Sequence, residues 1–480
     1  MEYLKFIEDN RGDMIKMLQE LLAIRSVEEP GTDETPFGKG IHDAFLYMLG
    51  KAKSDGFDVE NIDNYGGHIE FGGYVLDEEG DISGTCEEIL GVLGHLDTVP
   101  EGNDWDFPPY GGEISEDKIY GRGAIDNKGP VVASYFAMKA LKETGFVPEK
   151  KVRLILGLDE ETNWKGMEKY LQKEPAPSIG FTPDAVFPVI HGEKGILVFE
   201  LAKKINKATA KGLELRSLKG GSAANMVADY ARAVVKSDKP GVYEKIKGKA
   251  AKYREKHKRK VNVKGVGKSL EITAKGISSH GARPESGLNA ISIMMDFLGK
   301  LSFAGDDVNE FVSFYNEHIG FELDGASMGC GLSDEASGKL ILNTGMIDMD
   351  NEAGILTMNI RYPVTMNENT VYDAIMPLVN KYDLGVVKIK NQPPIYFPKE
   401  APIIRTLMDI YRRHTNDKKS EAIVIGGGTY ARTAENLVAF GGVFPGQEDV
   451  SHKKNEFIEI DKMILMSKIY AEAIYELSKP

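Results

Sequence analysis

The sequence predicts an α/β protein: a domain with a mainly parallel sheet covered by helices, interrupted by an inserted α+β domain of two similar halves. Three observations predict this. In the first part of the chain, short wholly apolar runs alternate with amphipathic stretches, the pattern of βαβ units whose strands are buried on both faces. Over residues 188–382 the texture changes to strands of alternating polarity with helices between them. After about Leu384 the first style returns. The expected division is residues 1–187, an insertion over 188–382, and a return over 383–480.

Taken in order, Leu4, Ile7, Met14, Ile15, Leu18, Leu21 and Leu22 recur at helical spacing, and charges of both signs run through residues 1–20. This reads as an amphipathic helix of the mature protein and not a signal peptide. Helices are expected at 13–24, 41–54 and 128–144, and buried strands at 89–93, 152–158 and 185–190. In the insertion, strands are expected at 196–201, 269–274, 339–346 and 354–360, with helices at 223–235, 288–301, 308–318 and 371–381. The returning segment offers a strand at 386–389, a helix at 402–414, a glycine-rich turn and a closing helix at 461–477.

Bulk properties exclude several classes. A net charge of −14 over 480 residues leaves no broad basic surface for nucleic acid or an anionic membrane. The one basic cluster, residues 245–260 with His257, reads as a solvated helix face. Cys86 and Cys330 lie far apart; they make no disulfide framework, fit a reducing cytoplasm, and receive no functional assignment. No apolar run reaches the length that spans a bilayer.

The chemistry-bearing residues fall just beyond the apolar runs. His95 and Asp97 are two apart, so on an extended segment they point the same way, and a nearby carboxylate orients a ligating imidazole. Asp126 closes Gly121-Arg122-Gly123-Ala124-Ile125-Asp126 before a helix. The spacing hints at a phosphate loop, but a carboxylate stands where the third glycine of a dinucleotide fingerprint belongs and would repel a pyrophosphate. A carboxylate shared between two cations suits it better. Glu160 and Glu161 are adjacent; in a dry pocket they repel unless a cation neutralises one, which leaves the other free as a base. With Asp184 and His452 these residues can hold two divalent metal ions, as hydrolases do. Among the remaining histidines, His191, seven residues after Asp184, is a candidate supporting group. His42, His68, His257, His318 and His414 read as structural.

Together the stretches Gly94-His95-Leu96-Asp97-Thr98-Val99-Pro100, Tyr120-Gly121-Arg122-Gly123 with Asp126, Asp159-Glu160-Glu161-Thr162, Asp184 and Ser451-His452-Lys453-Lys454-Asn455-Glu456 resemble the M20 family of metallopeptidases. Within it they are most similar to the PepV-type, Xaa-His-cleaving dipeptidases of bacteria. That likeness extends to Asn225-Met226-Val227, Gly426-Gly427-Gly428-Thr429-Tyr430-Ala431-Arg432 and Phe444-Pro445-Gly446, and so covers nearly the whole chain.

The resemblance implies roles. His95 and Asp184 would hold one metal, Glu161 and His452 the other, with Asp126 bridging and a cis peptide after it. Asp97 would orient His95, and Glu160 would be the general base. His280, in Ser278-Ser279-His280-Gly281-Ala282-Arg283-Pro284, would act from the inserted lid on the oxyanion. Asn225 and Arg361 would bind substrate, with Gly427 and Gly428 offering backbone N–H groups to its carboxylate. The implied cofactors are two divalent ions, Zn2+ first, with Mn2+ or Co2+ as alternatives. The implied substrate is a dipeptide, cleaved by a cytoplasmic protein that works as a monomer with its lid acting in cis. An amidase or deacylase of N-acyl amino acids is the alternative enzyme reading, and a non-catalytic metal-dependent binding protein the non-enzymatic one.

Overall fold

The computed structural model describes residues 1–207 and 211–479. The chain forms two compact units, one of residues 1–191, 397–423 and 428–480, the other of residues 192–396 and 424–427. The first unit begins with α1 (Glu2–Asp9), α2 (Arg11–Leu22), α3 (Lys39–Ser54), β1 (Asp58–Asn61) and β2 (Gly67–Gly72). It continues through β3 (Ile89–His95), β4 (Lys118–Tyr120), α4 (Lys128–Glu143), β5 (Lys151–Gly157), α5 (Lys165–Lys173) and β6 (Ile179–Thr182). The second unit contains β7 (Gly195–Lys204), β8 (Glu214–Gly220), β9 (Tyr230–Lys236), α6 (Val242–His257), β10 (Lys260–Val266) and β11 (Ser269–Lys275). After them come α7 (Ala290–Leu298), α8 (Asp306–His318), β12 (Ile341–Met349), β13 (Ala353–Tyr362), α9 (Glu368–Lys381) and β14 (Gly385–Gln392). The return adds α10 (Pro402–Thr415), β15 (Leu437–Ala439), β16 (Phe457–Glu459) and α11 (Ile460–Leu477).

The N-terminal helical stripe is kept but broken at Asn10 (φ −102°, ψ 17°), with Ile7 of α1 and Met14, Leu18, Leu21 and Leu22 of α2 all buried. In the first unit the sheet runs β1-β2-β5-β3-β6-β15 and then to the short strand Ile190–Glu193. Its centre, β5-β3-β6-β15, is parallel, and its flanks are antiparallel. Every residue of β3 is buried, as the continuous apolar run requires. Helix α4 is buried on nearly all sides and packs against α1, α2, α11 and β3. One expectation is corrected. The buried parallel strand is β6, before Asp184, and residues 185–189 hold only the two-residue strand Ala185–Val186 and a cis Phe187–Pro188 bond, with a separate short strand starting at Ile190. The run Ile179-Gly180-Phe181-Thr182 is too short and glycine-broken to stand out.

The second unit is one antiparallel sheet, β10-β11-β9-β8-β12-β13-β7-β14, and it is indeed two-halved. The half β7, α8, β12, β13, α9, β14 is a βαββαβ motif with strand order 4-1-3-2. The half β8, β9, α6, β10, β11, α7 shows the same order when β8, first in sequence, is counted as the fourth strand. It is thus a circular permutation of the other, inserted after β7. Two expectations are corrected here. Residues 223–235 are not helical: β9 buries Ala231, Ala233 and Val235 on one face, and tertiary packing overrides the helix propensity of its alanines. The strand placed in the returning segment, β14, pairs along β7 instead. Its Val387 and Ile389 are exposed; it is an edge strand that imitates a buried one, and the chain re-enters the first unit at Phe397. No described helix is long and apolar enough to cross a membrane.

Candidate active site

Three adjacent parallel strands of the first unit, β5, β3 and β6, end on the same side, where open α/β sheets bind ligands. His95 is the last residue of β3, and Leu96 N–H still bonds Gly157 O at 3.0 Å before Asp97. Glu160 and Glu161 follow β5, and Asp184 follows β6. Two glycines permit this crowding. A Cβ at Gly94 would lie 2.4 Å from Val131 of α4, and one at Gly157 would lie 2.3–2.6 Å from the Tyr430 ring and hydroxyl. Asp126 and His452 arrive by another route. They precede α4 and β16, and the ribbon β4–β16 pairs Tyr120 with Phe457.

The side chains converge. His95 Nε2 is 3.1 Å from Asp126 Oδ1 and 3.7 Å from Asp184 Oδ2. His452 Nε2 is 3.0 Å from Asp126 Oδ2 and 2.9 Å from Glu161 Oε1. Two donor groups, His95 with Glu160 and Asp184, and His95 with Asp126 and Glu161, each keep their ligand atoms within 4.8 Å of one another. His95 Nδ1 faces Asp97 twice, at 3.0 Å from its carbonyl and 3.4 Å from its carboxylate. That carboxylate also accepts the Glu160 and Glu161 N–H groups at 3.1 and 3.0 Å, so one residue orients both strand ends. The Asp126–Asn127 peptide is cis, as the resemblance implied.

The cluster is electrostatically frustrated in a way that fits divalent cations. Burial, then Asp126, pushes the Asp184 carboxyl up to about 7. Burial and Asp184 hold Glu160 well above the ordinary range, and burial and Asp126 raise Glu161. Burial works against a charged His452, yet its hydrogen bonds to Asp126 and Glu161 outweigh it and carry the imidazole up to about 11. Buried nitrogen and oxygen donors crowded in this way suit divalent cations, since bound cations would favour the deprotonated ligands.

Several supporting residues were not singled out from sequence. Asn127 accepts the His95 N–H at 3.3 Å and donates to Pro183 O at 3.0 Å, tying β3 to the Asp184 turn. Lys128, fully buried, donates to Leu21 O and Ile24 O at 3.0 and 2.7 Å and so fixes the end of α2. Asp159 accepts Gly166 N–H at the start of α5. Their only sequence signal was closeness to the candidate site residues, and the partners of Asn127 and Lys128 are far away in the chain. His191 Nδ1 lies 2.8 Å from Phe397 O.

Asn225, His280, Arg361 and Gly427 belong to the second unit, and Gly428 begins a segment of the first. Within the second unit, Met226 and His280 form an isolated antiparallel bridge and Gly281 N–H bonds Asn225 O at 2.6 Å, so Asn225 and His280 stand on paired loops. Asn343 holds that loop through Ala224 O and Met226 O, at 3.1 and 2.9 Å. Asn343 is also in register with Asn359, whose side chain accepts from Arg361 Nε at 3.0 Å.

A parallel sheet whose strand ends gather imidazoles and carboxylates at metal-ligand separations defines a class, the hydrolases with a metal-type site. The chain belongs to peptidase family M20/M25/M40, whose profile matches residues 91–476, and is thus a hydrolase acting on peptide bonds. It is 36% identical over 475 residues to the putative dipeptidase YtjP of Bacillus subtilis (strain 168), spanning 98% of each chain. It is 37% identical over 486 residues to the Beta-Ala-Xaa dipeptidase of Lactobacillus delbrueckii subsp. lactis, spanning 100% of this chain and 99% of that one. In fold it matches human carnosine dipeptidase 1 (TM-score 0.56, 15% identity, 99% of each chain). It also matches aminoacylhistidine dipeptidase from Vibrio alginolyticus (TM-score 0.55, 14% identity, 96% of each chain).

Proposed function

We propose that the protein is a dinuclear metal-dependent dipeptidase. The observation that carries this reading is the meeting of His95, Asp126, Glu161, Asp184 and His452 around one point, with Glu160 beside them. The full-length likeness to a Beta-Ala-Xaa dipeptidase supports the substrate class. In this reading His95 and Asp184 would hold one ion and Glu161 and His452 the other, with Asp126 shared between the two sites. Nitrogen and oxygen donors suit Zn2+, and also Mn2+ or Co2+. When bound, the ions lower the pKa of water and polarise the scissile carbonyl.

The chain's own groups do the rest. Glu160 takes a proton from the attacking water and returns it to the leaving amine. Asp97 keeps His95 oriented through Nδ1. His280 accepts the Ala282 N–H at Nδ1, 3.2 Å away, which leaves the ring proton on Nε2 for donation to the oxyanion. Asn225, Arg361, Gly427 and Gly428 hold the substrate, Arg361 offering its fork to a carboxylate. The protein works as a cytoplasmic monomer, its doubled lid serving its own site.

The test is a panel of dipeptides, tripeptides and N-acetyl amino acids, assayed with chelated protein and after restoring Zn2+, Mn2+ or Co2+. Dipeptides alone should be cleaved, and only with metal. Preferred turnover of N-acetyl amino acids would replace the dipeptidase reading with a deacylase one, and turnover undiminished by chelation would remove the metal reading.

A further inference from the structure

Beneath Asp126 lies a buried ion pair that the reaction does not use. Arg122 Nη1 is 2.6 Å from Glu456 Oε2, with both side chains almost wholly inaccessible (2% and 0%). The other oxygen of Glu456 accepts the N–H groups of Ile125 and Asp126, at 3.0 and 3.1 Å. Its carbonyl accepts Gly121 N–H at 2.9 Å. Arg122 also donates to Pro100 O and Glu101 O, each at 3.4 Å, and lies over the Trp105 ring at 5.3 Å. The neighbouring Asp106 N–H bonds Asn455 Oδ1 at 2.8 Å.

The contacts of Glu456 join two stretches of chain, and residues 100–106 brace both. One runs from Gly121 to Asp126; the other runs from His452 to Glu456. Both leave the same ribbon, β4–β16. The buried pair therefore ties Asp126 to the segment that carries His452, whereas His95 and Asp184 are placed by the ends of β3 and β6. A buried pair of this kind is weak evidence for stability, since desolvation offsets its attraction; fixing a geometry is a better account of it.

We infer that Arg122 and Glu456 are positioning residues for one half of the metal centre: they set Asp126 relative to His452, and so tune the ion held by Glu161 and His452 more than the ion held by His95 and Asp184. This rests on the dinuclear reading above. Groups that orient ligands typically cost about 10–100-fold in metal affinity when changed.

The test is calorimetric titration of metal-free full-length protein with Zn2+, backed by elemental analysis, on the wild type, Glu456→Gln and Glu456→Asp. Glutamine keeps the shape and loses the charge; aspartate keeps the charge and loses the reach. The wild type should bind two ions. Each variant should keep one at wild-type affinity and bind the second about 10–100-fold more weakly. Adding Glu456→Gln to His452→Ala should cost nothing further, whereas adding it to Asp184→Asn should weaken the remaining site. Wild-type affinity at both sites, or equal loss at both, would overturn the proposal. So would failure of both variants to fold without metal, since the pair would then support the fold and not one site. A wild type that binds a single ion would instead remove the dinuclear reading, and the inference with it.

Discussion

Asp126 stands between two imidazoles, Oδ1 3.1 Å from His95 and Oδ2 3.0 Å from His452. One carboxylate thus meets two nitrogens that come from residues far apart in sequence. Glu160 and Glu161 divide differently. Glu161 is committed to His452 at 2.9 Å, and Glu160 faces Asp184 and His95. In the proposed assignment Glu160 is the base and not a ligand, so neutralising it should leave the metal affinity nearly intact while removing the base. Glu160→Gln is expected to bind metal like the wild type and to lose about 10²–10⁴-fold in kcat; metal analysis beside kinetics checks it, and a variant that loses its metal would move Glu160 into the ligand set. At this scale His95, Glu160 and Glu161 stood out because they lie just past apolar runs, where strand ends are expected to work, whereas the roles of Asp184 and His452 came through the family resemblance. Asn127 and Glu456 were not legible as partners: both lie in motifs that were read, but their hydrogen bonds reach Pro183 and Ile125 across 56 and 331 residues.

Strands β2 and β5 and helix α5 share a buried polar network that pins the segment following Glu161. His68 Nδ1 lies 3.0 Å from the Tyr170 hydroxyl, and Arg153 pairs with Glu70 and, at 2.8 Å, with Glu174. Burial, then the Arg153 charge, lowers His68 from 6.5 to about 3. The unfolded chain therefore takes up this proton at higher pH than the folded one. The contribution of neutral His68 is complete above 6.5 and is lost as pH falls from there toward about 3. Between about pH 7 and about pH 5 the wild type should lose on the order of 2 kcal/mol more stability than a His68→Gln variant. Denaturant melts at the two pH values measure it, and equal losses would show that His68 is not held neutral. Elements with a strong apolar content, such as α4 and β3, were readable from sequence. β9 was not, because its alternating alanines carry no mark of strand, and β14 was assigned to the wrong unit because an edge strand and a buried one can share a Val-Val-Lys-Ile run.

Among the described residues there are two hydrophobic cores with no residue in common, one built around α4 and α11 and the other around α7 and β9 to β13. The insertion was visible as a change of texture. Its internal permutation was not, since strand order depends on which edges pair, and β8 and β12 meet through only three residue pairs. All five proposed ligands, His95, Asp126, Glu161, Asp184 and His452, lie in the first unit. A ligand that binds only the folded state stabilises by RT ln(1 + [L]/Kd), about 4 kcal/mol at a thousand-fold excess over Kd, and that stabilisation goes to the unit that holds the site. Separate cores favour separate cooperative transitions. Scanning calorimetry of the metal-loaded protein should therefore resolve two transitions, and chelation should lower one by several degrees while the other stays in place. In Glu161→Ala, which removes a ligand from the first unit alone, the same transition should be low from the start and should respond less to added Zn2+. A single transition that moves as a whole on chelation would show that the two units unfold as one.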